Sequence, residues 1–197
     1  MNPSIRPMTL DDVVGPDRYE KARDEIRRRT IALKKNRRVA VGDRVTFVFE
    51  NHATVFFQVH EMLRAERITD LDAVRDELEV YNALLPEAGG LSATMLIEIT
   101  DQDQVEERLL ELLGIDECVR LDVGDRSYPG EFEPGRSRED RLSAVQYVRF
   151  RLDAAAIAAF GDERAEISLR IEHERYRHAT RIEGETRRSL ATDLVSG

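Results

Sequence analysis

The chain has 197 residues, 41% of them hydrophobic and 35% charged, which gives enough apolar material for a core and more charge than the usual quarter. Thirty basic against 39 acidic side chains leave a net charge of −9, which sets the molecule as a whole against polyanions and argues against a nucleic-acid partner. A single cysteine, Cys118, excludes an internal disulfide, a CxxC redox pair and a self-contained iron–sulfur centre, and no apolar run reaches the length of a membrane span.

Residues 1–16, with two prolines and then Gly15-Pro16, read as an extended arm. The opening MNPSIRPMTLDD has none of the segments of a secretory signal, so a cytoplasmic location is expected. Residues 17–36 read as a helix, with Tyr19, Ala22, Ile26, Thr30 and Leu33 forming an apolar stripe at three- and four-residue steps. Asp24 with Arg28 and Glu25 with Arg29 stand at the i,i+4 spacing that supports a helix. Between Asp17 and Arg38 there are ten basic and four acidic residues, a net of +6, which leaves −15 on the rest of the chain. Arg27, Arg28, Arg29, Lys34, Lys35, Arg37 and Arg38 therefore form either a solvated helix face or a docking face for an acidic partner. No aromatic residue is interleaved with the arginines, as single-strand binding would require.

Residues 39–41 and 45–49 read as a hairpin across a two-residue Gly42-Asp43 turn. Asn51 is a plausible N-cap for a helix over 54–67 that buries Val55, Val59, Met62 and Leu63. Asp70 caps a third helix through residue 85, with Leu71, Val74, Leu78, Tyr81 and Leu85 inward, ended by Pro86 and Gly89-Gly90. Beyond it the pattern changes to two strand–helix–strand units, 93–99, 104–113 and 118–123, then 145–152, 154–160 and 165–171. Residues 124–142, carrying Pro129-Gly130 and Pro134-Gly135, read as an exposed hairpin tip or mobile loop, and residues 183–194 as a closing helix. The fold class is α+β: a single domain over 1–197, with a mainly helical part over 17–90 and a strand-rich part over 91–197. Its one mixed or mostly antiparallel sheet would be covered by the N-terminal helices.

Most catalytic and cofactor motifs are absent from the sequence. There is no HExxH, no Glu-x-x-His pair, no GxGxxG, no P-loop and no GxSxG, so neither a metal site nor a bound cofactor is expected. The four histidines read as surface residues and Cys118 as a small core residue. One polar constellation survives: Glu50, Asn51, Gln58, Glu61, Arg64, Glu66 and Arg67, crowding a strand end and the second helix. Such a strip is a structural network, an interface or a ligand site. Glu98, an acid within an apolar strand, is either solvated on an edge or in need of an arginine.

The run Glu50-Asn51-His52-Ala53-Thr54-Val55-Phe56-Phe57-Gln58-Val59-His60-Glu61-Met62-Leu63-Arg64-Ala65-Glu66-Arg67-Ile68 resembles the signature of an uncharacterised bacterial family of about this length, domain of unknown function 3501. Met8-Thr9-Leu10-Asp11-Asp12, Ala32-Leu33-Lys34-Lys35, Tyr81-Asn82-Ala83-Leu84-Leu85-Pro86 and Leu91-Ser92-Ala93-Thr94 fit it too, so the resemblance covers nearly the whole chain. It brings no established activity and no catalytic residues. What it implies is company, because members are often encoded near rubrerythrin-like and iron–sulfur oxidoreductase proteins. A chain without ligands for either cofactor would then be a cofactor-free accessory or interaction subunit, partnered by such a protein or by a second copy of itself. The alternative is a small enzyme or ligand-binding protein, with Glu61 as acid/base, Arg64 or Arg67 as anion anchor and Gln58 as orienting amide.

Overall fold

The structure, a computed structural model, describes residues 2–135, 137–138 and 141–194. The N-terminal arm is docked rather than free: Asn82 donates from Nδ2 to Met8 O (2.9 Å) and accepts the Met8 amide at Oδ1 (2.8 Å). Proline at the first helical position opens α1 (Pro16–Lys35), where its missing N–H costs nothing. The inward stripe of α1 runs through Tyr19, Arg23, Ile26, Thr30 and Leu33, while Ala22, expected in it, is exposed. A guanidinium takes that place because its partner carboxylate sits on the facing helix.

Strands β1 (Arg38–Val41) and β2 (Val45–Phe49) pair antiparallel around a three-residue loop, Gly42–Arg44, not the expected two-residue turn. Helix α2 (His52–Ala65) starts at Asn51, whose side chain accepts the Thr54 amide (3.1 Å) while Thr54 Oγ1 accepts the Asn51 amide (2.9 Å). Helix α3 (Leu71–Asn82) is capped by Asp70 and stops three residues before the expected end. Leu71, expected inward, is exposed. Met8, Val55, Val59, Leu63, Val74, Leu78, Leu84 and Leu85 make the apolar core of this helical part.

The rest of the chain comprises β3 (Gly90–Ile97), α4 (Val105–Leu110), β4 (Val119–Val123), β5 (Arg126–Pro129), β6 (Glu131–Phe132), β7 (Ser137–Arg138), β8 (Arg141–Leu142), β9 (Val145–Arg151), α5 (Ala154–Gly161), β10 (Ile167–His173), β11 (Tyr176–Arg181) and α6 (Gly184–Leu194). The result is α+β, but with two main sheets where one was expected. Their orders are β1-β2-β3-β9-β6 and β11-β10-β4-β5, every pairing antiparallel, and β7-β8 is a separate hairpin. Each expected strand–helix–strand unit leaves the first sheet and enters the second, β3-α4-β4 beside β9-α5-β10, so the helices connect layers instead of spanning parallel strands. Of the two expectations for 124–142, β4 and β5 form an exposed hairpin turning at Gly124-Asp125, whereas the mobile loop is replaced by strands, β5 extending the second sheet and β6 the first; residues 136, 139 and 140 of that stretch lie outside the described residues.

Phe47, Phe49, Met95, Val148 and Phe150 from the first sheet meet Leu121, Leu169 and Ile171 from the second, with Phe160 of α5 and Leu190 and Leu194 of α6. Every residue of β2 is buried because the inter-sheet core covers one face and the rest of the molecule the other. The seam between the sheets is stitched at Tyr176, whose hydroxyl donates to Val41 O (2.7 Å) and accepts the amides of Arg44 (2.9 Å) and Val45 (3.2 Å). A Cβ on Gly42 (φ +74°) would lie 2.4 Å from that hydroxyl, so only glycine fits there. Arg187 closes α5, donating from Nε to Phe160 O (3.0 Å), from Nη1 to Ala165 O (2.8 Å) and from Nη2 to Ala159 O and Asp162 O, a cation where the helix dipole favours one.

Candidate functional site

The polar strip divides. Its first part centres on Glu50, just past β2 and 2% exposed. Its carboxylate accepts Thr54 Oγ1 (2.5 Å), Gln58 Nε2 (2.9 Å) and Thr94 Oγ1 (2.7 Å), and Gln58 also donates to Thr54 O (3.1 Å). Asn51 beside it serves the helix cap. Tyr81 and Leu84 at the end of α3, Ser92 of β3, Tyr147 and Arg149 of β9 and Phe132 of β6 enclose with Glu50 a cavity of about 290 Å³.

The second part faces α1. Glu61 is held by Arg23 through both carboxylate oxygens (2.8 and 2.7 Å) and accepts the Tyr19 hydroxyl (3.0 Å). The Arg23 guanidinium keeps the Glu61 carboxyl below its ordinary range, and burial followed by the hydrogen bond to Glu61 pushes the Tyr19 phenol up. Three hydrogen bonds thus occupy the Glu61 carboxylate, and the bidentate arginine lowers its basicity, which speaks against Glu61 as acid/base. Arg64 pairs with Glu20 (2.9 Å), and Gln58 does not join either residue. Glu66, the C-cap of α2, and Arg67 are exposed. Arg67 adopts φ +55°, the left-handed conformation that lets the Ile68 amide reach back to Leu63 O (2.9 Å). Arg64 and Arg67 border an apolar groove of about 540 Å³ lined by Leu10, Val13, Leu63, Ile68 and Val74.

The basic face loses one member. Arg37 is fully buried, and each of its five N–H donors has an acceptor: Phe49 O (2.8 Å), Glu50 O (3.1 Å), Ser189 O (3.3 Å), Ser189 Oγ (3.2 Å) and the Asp193 carboxylate. Burial pushes the Asp193 carboxyl up, against the pull of Arg37. Arg27, Arg28, Arg29, Lys35 and Arg38 are exposed and Lys34 half-buried, with Arg28 and Arg29 sharing Glu25 (2.5 and 2.7 Å). On the same face Ile31 is 58% exposed.

Two histidines expected on the surface are buried. His60 accepts the Val14 amide at Nε2 (2.9 Å), so its proton sits on Nδ1, which donates to Phe56 O (2.7 Å). Burial lowers its pKa. His173 bonds Leu113 O (2.9 Å) at Nε2. Cys118 is half-buried, its Sγ 3.4 Å from Gly114 O, and Glu98 lies past the end of β3, exposed and bonded by Thr46 Oγ1 (2.9 Å). Sequence reasoning missed the cavity residues around Glu50, because nothing local announces that β6 will fold back beside β9.

The model of a family described as a protein of unknown function (DUF3501) matches residues 7–194. The chain belongs to this family. Its fold is shared with a solved structure described as a novel protein of unknown function from Burkholderia pseudomallei K96243, 34% identical, with a TM-score of 0.90 over 96% of this chain and 100% of that one. No curated protein matches. The family therefore fixes the fold and leaves activity to be argued from the residues. Among the described residues no helix is long and apolar enough to cross a membrane.

Proposed function

We propose that the protein is a cofactor-free accessory subunit that docks on an acidic partner through the outer face of α1. The observation that carries this reading is Ile31, framed at helical spacing by Arg27 and Arg28 one turn before it and Lys34 and Lys35 one turn after. An exposed aliphatic anchor inside a ring of cations has the arrangement of an interface: desolvation of the centre supplies affinity, and the rim selects the sign of the partner. The remainder of the chain carries a net negative charge, which favours this face over the rest of the molecule for an acidic partner. The partner we infer is an iron–sulfur oxidoreductase or a rubrerythrin-like protein, the company in which members of the family are often encoded. That partner would hold the metal, and this chain would supply surface.

The test is a pull-down of tagged protein from its native host at low salt without oxygen, with mass spectrometry and a metal assay on the eluate. Recovery of such a partner with the wild type and its loss with the Ile31→Asp, Arg27→Glu, Lys35→Glu variant is the expected result. A partner that stays bound to the variant, or a clean metal-free wild type, overturns the reading.

A second reading, a ligand-binding protein with Arg64 or Arg67 as anion anchor, is favoured by the groove beside those residues, whose size and apolar lining suit a small molecule. Anilinonaphthalene sulfonate binding that disappears in Arg64→Glu and Arg67→Glu would support it, and binding unchanged by either would remove it.

A further inference from the structure

The cavity over Glu50 lies away from α1 and raises a separate question: what neutralises a carboxylate taken almost wholly out of water. Its three hydrogen-bond donors, Thr54, Gln58 and Thr94, carry no charge. No guanidinium nearby completes an ion pair with it: Arg37 reaches only the Glu50 carbonyl and gives its charge to Asp193, Arg149 gives Nη2 to Ala83 O, and Arg151 lies 3.5 Å from Glu131. A buried carboxylate left without a cation is costly, so a cationic group brought into the cavity would gain from pairing with it. Glu50 is also part of the wall of an open space of about 290 Å³ and not of a closed core.

The rest of the wall says which charge. Tyr81, Phe132 and Tyr147 line it, and aromatic faces attract organic cations through the negative face of the ring. Two further acids, Glu131 and Glu133, border it. Among the described residues no three acids, histidines or cysteines converge as a metal site would need, and Gln58 turns its amide nitrogen, not its oxygen, to Glu50. We propose that this cavity binds a small primary amine, its ammonium group seated against Glu50 and its carbon skeleton against the rings of Tyr81, Phe132 and Tyr147. The volume lies at the lower end of ligand pockets, which suits an aralkylamine or a short aliphatic amine, and the three acids at the wall disfavour a phosphate.

The experiment is calorimetric titration of the full chain with 2-phenylethylamine, butylamine and putrescine, and with 2-phenylethanol and phenylacetate as neutral and anionic counterparts. Saturable 1:1 binding is expected for an amine and not for the alcohol or the acid. Glu50→Gln, which keeps the shape and removes the charge, should weaken binding by about tenfold or more. Because a change at Glu50 can disturb folding, Val80→Trp serves as a second variant: Val80 lines the same cavity, is 63% exposed, and a larger side chain there blocks the space without touching Glu50. Loss of amine binding in Val80→Trp with an unchanged unfolding midpoint supports the site. Equal binding of amine and alcohol, amine binding indifferent to both variants, or no binding of any of the amines at millimolar concentration overturns it.

Discussion

Arg37 and Asp193 stand 156 positions apart in the chain and close an ion pair in which neither side chain is exposed. The pair joins the turn after α1 to the last turn of α6, and the remaining guanidinium donors are spent on backbone carbonyls of Phe49, Glu50 and Ser189 and on Ser189 Oγ. Removing one member strands the other charge in the interior. Asp193→Ala is expected to destabilise by about 3–5 kcal/mol in urea denaturation. The double variant Arg37→Met, Asp193→Leu should lose clearly less than the two single variants together; additive losses would show that the charges do not act as a pair.

His60 makes stability sensitive to mild acid. Its folded pKa lies below the ordinary value of 6.5, so the unfolded chain takes up a proton in a range where the folded one resists it. The stabilisation is complete above about pH 6.5 and is lost as pH falls from there through the folded pKa. Protonation would also set Nε2–H against the Val14 amide. The urea midpoint should therefore drop from about pH 7.5 to about pH 5.5, and His60→Gln should flatten that drop; an equal drop in both proteins would place the effect elsewhere.

Tyr176→Phe takes one oxygen away from three backbone groups at the tip of the β1–β2 hairpin. A loss of about 1–3 kcal/mol is expected. Gly42→Ala should cost about 2 kcal/mol or more, since it adds a backbone conformation that alanine disfavours to a contact with the Tyr176 hydroxyl. Thermal denaturation of the two variants measures both, and a neutral Gly42→Ala would contradict the close approach.

Arg67 is the described non-glycine residue held at positive φ. Arg67→Gly should raise stability by about 1 kcal/mol through relief of that conformation, partly offset by the freer unfolded chain. If Arg67 anchors a ligand in the adjoining groove, the same variant loses binding while gaining stability, a combination that a purely structural residue would not give.

Much of the helical part was readable because its signals are local. Asn51 and Asp70 cap α2 and α3 as their residue types require, and Val55, Val59, Leu63, Val74 and Leu78 recur at the helical period and are buried. What escaped is non-local. Arg37 looks like its neighbours in a basic run and differs only because Asp193 arrives from the other end of the chain. Strand β11, YRHATR, has almost no apolar content, so it could not be told from a loop until its register with β10 was known. The two short strands β5 and β6 are one continuous stretch of sequence divided between two sheets at Gly130, a decision made by their partners β4 and β9. For the same reason Glu50 could be singled out as a polar oddity, while the cavity that gives it meaning could not.

The seam between the sheets bears on how copies of this protein can meet. Strand β1 would be an open margin of the first sheet, but Thr180 Oγ1 of β11 donates to Ala40 O (2.6 Å), so the two outer strands shield one another. At the opposite margins stand β6, two residues long, and β5, which ends in Pro129 and offers no amide there. Neither gives an incoming strand a ladder to climb. Among the described residues the margins of the two main sheets thus disfavour growth from molecule to molecule, the route to fibres and to many strand-swapped dimers, and leave the outer helix faces as the better surface for a second chain.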